Sequence, residues 1–281
     1  MKWKGRQGSS NVEDKRGMSG KGMAGIGGGV GLIIVLILTL LGGNPSELLG
    51  GLTSDDSGSG GTYVESDEEK ELAQFVSVVL ADTERVWTEE FRKNGLNYEE
   101  PTLVLYSGSV QSACGIAGSS VGPFYCPGDR KLYIDLSFYQ ELKEEFQAPG
   151  DFAMAYVIAH EVGHHVQTLL GTTEKFMPDR SKVSKTDYNQ YSVRLELQAD
   201  YLAGVWAHHV QGENLLEEGD LDEALNAASG VGDDSIQKKA QGYAVPDSFT
   251  HGTSEQRKRW FRKGFESGDM NKGNTFETRN L

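Results

Sequence analysis

One short stretch, His160-Glu161-Val162-Gly163-His164, restricts this chain more than any other, and it sits inside the apolar run Asp151–Leu170. Ala, Val, Ile and Leu fill the turns between Pro149-Gly150 and Gly171, which predicts a buried helix with Asp151 as its N-cap. On a helix, residues four apart lie one above the other, so His160 and His164 aim ring nitrogens at one point. Two imidazoles supply two corners of a tetrahedral zinc site and leave room for a third ligand and a water. Glu161 stands about 100° around the helix, where it can border the open position and take a proton from that water. Gly163 costs about 1 kcal/mol against Ala inside a helix, so its presence predicts the close approach of another backbone. By average composition the pattern arises by accident in about one per cent of chains this long, so the rest of the chain has to decide.

The third ligand is expected from Arg194-Leu-Glu-Leu-Gln-Ala-Asp200, on a long helical pattern running from about Ser184 to Val210. Glu196 and Asp200 are four apart, hence on one face, among Leu, Ala, Tyr, Val and Trp residues that favour burial. Buried carboxylates need partners. One of the two can bind a metal, and the other can accept the second ring N–H of a liganding histidine and fix its tautomer. The alternative is a solvated acidic stripe, or Glu196 simply paired with Arg194.

Charge is unevenly placed. The formal charge is −14, yet residues 1–22 hold six basic residues against Glu13 and Asp14, a net of +4 that leaves −18 elsewhere. So acidic a remainder repels nucleic acid and anionic lipid, which argues against a nucleic-acid partner. Between Gly22 and Ser46 no residue is charged, and Val30–Leu41 is almost purely aliphatic. Twenty-five helical residues span about 37 Å, enough for a bilayer core of about 30 Å. The expectation is a basic cytoplasmic tail at 1–21, a single transmembrane anchor at 22–46, a Gly/Ser/Asp-rich linker at 47–66 and a domain at 67–281. A cleaved signal peptide competes, but no small-residue cleavage site follows the run. With the basic flank inside, everything after the span lies outside the cytoplasm.

From Asp67 to Asn94, apolar residues recur at three- and four-residue spacing, an amphipathic helix. Thr102–Tyr106 and Lys131–Leu136 read as short strands. The second of these is a candidate edge strand for pairing with a substrate backbone, or an ordinary structural strand. Between them lie the only cysteines, Cys114 and Cys126. In an extracytoplasmic domain they are expected as a disulfide, which on the chain-entropy model is worth about 3 kcal/mol. Phe138–Phe146 predicts a short helix, and a final helix is expected around Ser254–Phe265. His165 points away from His164 and suits packing; His208 and His209 end the long helix, where a cation suits its dipole.

These residues carry a resemblance. A helical H-E-x-x-H followed by E-x-x-x-D is the pattern of the gluzincin metallopeptidases. The chain as a whole resembles the bacterial putative neutral zinc metallopeptidase family. The carrying segments are Ser10–Gly17, Gly122–Pro127, Tyr133–Phe138, the histidine motif, Glu196–Asp200 and Phe249–Arg257. The resemblance covers nearly everything except the linker. It implies that His160, His164 and Glu196 bind one zinc ion, that Glu161 is the general base, and that Asp200 orients a histidine, His160. His251 and Arg257, six apart near the C-terminus, also resemble an H-x5-R arrangement of related membrane metallopeptidases. A zinc peptidase needs a donor for the oxyanion, and His251 in its glycine-containing loop is the candidate. Arg257 would pair with Asp200 or hold the loop; alternatively His251 caps the helix and Arg257 lies in solvent.

Two strands followed by several helices predict an α+β fold: a membrane anchor, then a compact, mainly helical zincin-like domain with a small sheet. The function expected is a peptidase of the bacterial cell membrane, hydrolysing peptides or proteins outside the cytoplasm. The competing function is a membrane-tethered scaffold with a structural zinc closed by four protein ligands.

Overall fold

A capping box opens the first long helix. Ser66 accepts from the Glu69 N–H, the Glu69 carboxylate accepts from the Ser66 N–H, and α1 runs Asp67–Lys93. Its apolar stripe, including Phe75, Val79, Val86 and Trp87, is buried as the spacing predicts. The computed structural model describes residues 1–17 and 63–281. In chain order the short strands are β1 (Val12–Asp14), β2 (Thr102–Tyr106), β3 (Ser109–Ser112), β4 (Gly115–Gly118), β5 (Phe124–Cys126) and β6 (Lys131–Asp135). Four of them form one sheet in the order β1-β2-β6-β5, with β5 antiparallel to β6 and the other pairs parallel. β3 and β4 form a separate hairpin, and a Cys114–Cys126 disulfide ties its turn to the end of β5.

The helices after the sheet are α2 (Phe138–Glu144), α3 (Asp151–Leu169), α4 (Thr172–Phe176), α5 (Lys185–Gly212), α6 (Asp220–Gly230), α7 (Asp233–Gln241) and α8 (Ser254–Ser267). The result is a helix-dominated α+β fold with small sheets, as the element pattern predicts. One hydrophobic core joins α1, the sheet and α3, α5, α6 and α8. Helices α3 and α5 cross at Gly163, where a Cβ would lie 3.0 Å from the Ala199 carbonyl oxygen. That crossing is the close backbone approach expected from a glycine in the histidine motif. Asp151 is the first residue of α3 and not its cap. The cap position is Gly150, and the Glu223 carboxylate of α6 accepts the Phe152 N–H instead.

Residues 1–17 are part of this fold, which corrects the division into a detached tail at 1–21 and a domain beginning at 67. β1 pairs with β2 in parallel register, Val12 opposite Leu103 and Asp14 opposite Leu105. Trp3 is buried edge-on against Phe75, and a buried tryptophan contributes about 4 kcal/mol at roughly 25 cal/mol per Å². Arg6 makes two hydrogen bonds to Asp82 of α1, a carboxylate that is 1% exposed. The Met1 amine sits among Asp151, Glu217 and Asp220. A single membrane crossing between residues 17 and 63 would separate β1 from β2, which these hydrogen bonds hold together. The anchor expected at 22–46 and nearly all of the linker at 47–66 lie outside the described residues. Among the described residues no helix is long and apolar enough to cross a membrane.

Of the two readings of Lys131–Leu136, the ordinary structural strand is the one observed. β6 lies between β2 and β5, so both its edges are paired. The edges are β1 and β5, and the one on the groove is β5, which the sequence hid because three residues flanked by prolines carry little periodicity.

Candidate metal centre and groove

The Gly163 crossing brings the two sequence motifs face to face. Donor atoms of His160, His164 and Glu196 all lie within 4.8 Å of one another. His160 Nε2 is 3.1 Å from Glu196 Oε2, and His164 Nε2 is 3.5 Å from Glu196 Oε1. The two rings stand nearly perpendicular, 4.8 Å between centroids. Two imidazoles and one carboxylate converging on a point are a donor set that fits zinc with one position left open.

Each histidine is held from behind. His160 Nδ1 donates to Asp200 Oδ1 at 2.8 Å. The same carboxylate accepts from the Tyr156 hydroxyl at 2.5 Å and from Arg257 through Nε and a terminal nitrogen at 2.9 and 3.0 Å. Burial would raise the Asp200 carboxyl, but the Arg257 charge together with His160 overrides it and holds Asp200 at about 2. Arg257 is buried, 4% exposed, so the solvent-facing alternative for it does not hold. It reaches Asp200 because α8 lies close along α5: a Cβ on Gly264 would fall 1.9 Å from the Tyr201 carbonyl oxygen. His164 has a different backing. Its Nδ1 donates to Gln167 Oε1 at 2.9 Å, and Gln167 in turn donates to the Leu195 carbonyl and the Gln198 side chain.

Glu161 is 8% exposed on the groove side of α3. Burial pushes its carboxyl above the usual glutamate range, against the pull of both histidines and the Tyr125 backbone N–H. The next histidine, His165, is a strut. Burial lowers its pKa and favours the neutral ring. Its Nε2–H donates to the Glu99 carbonyl at 2.6 Å while Nδ1 accepts from the Tyr125 hydroxyl at 3.0 Å. This pins β5 to α3. His208 and His209 donate to the Phe265 and Gly268 carbonyls and fasten α5 to the end of α8.

His251 lines the same groove, its ring 37% exposed. Asp233, the first residue of α7, holds the loop: one oxygen accepts the backbone N–H groups of Thr250, His251 and Gly252, and the other faces His251 Nδ1 at 3.2 Å. Asp233, Gln167 and Tyr156 are partners that sequence reasoning missed. Gln167 and Tyr156 had a signal, since they stand three and four residues from His164 and His160 on one helix face. Asp233 had none, because its partner loop is far away in sequence. The groove has a volume of about 720 Å³ and runs between the β5 edge and α7, with the convergent donors on its floor.

Comparison with known proteins agrees with this geometry. The family described as "putative neutral zinc metallopeptidase" matches residues 1–276. A protein of Escherichia coli strain K12, named only as uncharacterized protein YpfJ, is 49% identical over 283 residues, covering 98% of this chain and 99% of that one. The uncharacterized protein Rv2575 of Mycobacterium tuberculosis strain H37Rv is 42% identical over 195 residues, 66% of this chain and 65% of its own. No solved structure matches. With the match spanning the tail, the sheet and both metal-motif helices, the chain belongs to the putative neutral zinc metallopeptidase family.

Proposed function

We propose that this protein is a zinc-dependent peptidase, with His160, His164 and Glu196 as ligands of a single ion and Glu161 as general base. The observation that carries the reading is the open fourth position of the donor cluster. Three donors converge on the floor of a groove, and among the described residues no fourth metal-ligating side chain joins them. A scaffold with structural zinc would need that fourth ligand. Bound there, zinc supplies Lewis acidity to a water and to the scissile carbonyl. Glu161, kept out of bulk solvent, accepts the proton of the attacking water and delivers it to the leaving amine. His251, oriented by Asp233, donates to the developing oxyanion. Asp200, clamped by Arg257 and Tyr156, fixes the tautomer in which His160 presents Nε2 to the metal. An extended peptide would lie along the free edge of β5, which His165 holds in place through Tyr125.

The test pairs zinc content with hydrolysis of a mixed peptide library, before and after chelation. Glu161→Gln is expected to keep zinc and lose hydrolysis, and Glu196→Ala to lose zinc. Full zinc in Glu196→Ala after dialysis against a weak chelator overturns the ligand assignment.

For location, the disulfide supports an oxidising, extracytoplasmic compartment for the domain. The pairing of β1 with β2 supports the same compartment for residues 1–17. Cysteines introduced singly at Lys4 and Glu255, both well exposed, are expected to react alike with an impermeant maleimide on intact cells. Opposite labelling of the two positions sinks the shared compartment, and protection of both sinks the extracytoplasmic one.

A further inference from the structure

Beyond the histidines the groove continues toward the N-terminal half of α3, and its walls change. Phe138 and Phe146 from the α2 region, Val157 from α3 and Ile236 from α7 make this end apolar. Glu141 is set among them. α2 and its C-cap residue Glu145 turn Phe138, Glu141 and Glu145 toward the groove at i, i+3 and i+7, a single stripe. Phe138 is 7% exposed and packs near Phe146, ring centroids 6.0 Å apart, so the stripe is anchored at its start.

The Glu141 side chain has no hydrogen bond or ion pair among the described residues. Partial burial pushes its carboxyl up, and the like charges of Glu145 and Asp135 add to this. Neither of the Arg257 and Lys239 side chains that line the groove pairs with Glu141. Arg257 is spent on Asp200, and Lys239 gives its Nζ to the Glu145 carbonyl oxygen at 2.8 Å. A carboxylate held against apolar walls without a partner favours a cation brought by a ligand. Lysine and arginine side chains suit such a place, because their methylene stems cover apolar surface while the charged head reaches out.

We propose that this end of the groove selects a lysine or arginine side chain of an extended peptide substrate, with Glu141 as the specificity-determining residue. The proposal rests on the peptidase reading and names its substrate class. The position along the substrate follows from β5. The segment leading into this strand lies beside Phe138, since a Cβ on Gly122 would lie 3.4 Å from the Phe138 ring. A peptide antiparallel to β5 runs from the Cys126 end toward that ring, so a residue on the C-terminal side of the scissile bond enters the pocket. Cleavage is then expected before basic residues.

The experiment uses the zinc-loaded full chain. A peptide library is digested and the cut sites are sequenced by mass spectrometry. The best-cut sequence is then remade with lysine, norleucine or glutamate after the scissile bond. Lysine is expected to exceed norleucine by about fivefold in kcat/KM, the scale of a partly exposed ion pair. Glu141→Gln should bring that ratio to about one, and Glu141→Lys should favour the glutamate peptide. A ratio unchanged in Glu141→Gln, or norleucine preferred by the wild type, overturns the assignment. Binding of a fixed set of extended peptides that differ only in one lysine, norleucine or glutamate, chosen independently of cleavage, to Glu161→Gln, read by fluorescence anisotropy, separates the two readings. Lysine-selective binding with no wild-type cleavage overturns the peptidase and leaves the pocket. Cleavage with no basic preference overturns the pocket and leaves the peptidase.

Discussion

His160 and His164 stand four residues apart on one helix and face the same point, yet their far nitrogens meet different surroundings. Behind His160 is a fully buried charged cluster: Asp200 at 0% exposure, Arg257 from α8, and Tyr156. Behind His164 is a neutral carboxamide, Gln167, tied to the backbone of α5. The charged support links three helices and removes a full ion pair from water, which is costly unless every partner stays. The neutral support costs little to bury and stabilises little. One histidine is therefore built into the core of the fold, and the other is held locally near the open groove.

The largest expected effect tests the charged side. Arg257→Ala leaves Asp200 buried without its cation and should destabilise the domain by about 3–5 kcal/mol. At about 2–4 °C per kcal/mol for a domain of this size, thermal unfolding should fall by roughly 10 °C. Arg257→Met with Asp200→Asn should recover part of that loss. If Arg257→Ala unfolds within 2 °C of wild type, Asp200 is not held as described. Next in size, Asp200→Asn should weaken zinc binding by about 10–100-fold, measured by competition with a chromophoric chelator.

A third histidine extends the contrast. His251 has an acidic partner, as His160 does, but its ring faces the groove. Asp233→Asn keeps the shape and loses the charge, so kcat should drop by about tenfold with zinc content and thermal midpoint little changed. Burial would raise the Asp233 carboxyl, but hydrogen bonds from His251 and the loop backbone lower it below 3.8. A depressed carboxylate stabilises fully above its unfolded pKa and less as pH falls through the folded one. Protection of the Thr250–Gly252 amides from hydrogen exchange should therefore be complete above about pH 4 and fade below it. Amide protection that holds unchanged to pH 2.5 would contradict that assignment.

The legible parts of this molecule are those whose signal is local and periodic. The α3 and α5 motifs, the α1 stripe and the need for a close backbone at Gly163 could be read because helical neighbours are three or four residues apart. β1 could not. Val12-Glu13-Asp14 is short and polar, and what makes it a strand is β2, ninety residues away. The same stretch beside a charge-free run reads as a membrane flank, although its hydrogen bonds to β2 place it in the sheet. β5 and the Asp233 loop failed for the same reason: their partners are tertiary. Of the two histidine supports, Asp200 stood out because a carboxylate among apolar residues needs an explanation, whereas a glutamine one turn along a helix does not.

That neutral support gives the smallest expected effect and the sharpest check on the comparison. Gln167→Leu removes the acceptor of the His164 Nδ1 proton and preserves side-chain volume. The Gln167 side chain also donates to Leu195 O at 2.7 Å and Gln198 Oε1 at 3.0 Å, so three hydrogen bonds go together. Neutral hydrogen bonds contribute about 0.5–1.5 kcal/mol each, but replacing a partner by an apolar group of similar shape recovers some of that through burial. The Leu195 carbonyl can still accept from its own helix, and Gln198 retains the Gly273 carbonyl. The ring of His164 would then turn more freely but would lie no deeper and carry no stranded charge. Zinc affinity is expected to fall about threefold, well short of the loss in Asp200→Asn, and the thermal midpoint by no more than about 3 °C. The two variants are compared in the same chelator competition at pH 7. Equal losses from Gln167→Leu and Asp200→Asn would mean that the charge behind His160 adds nothing beyond orientation, and the distinction between the two supports would collapse.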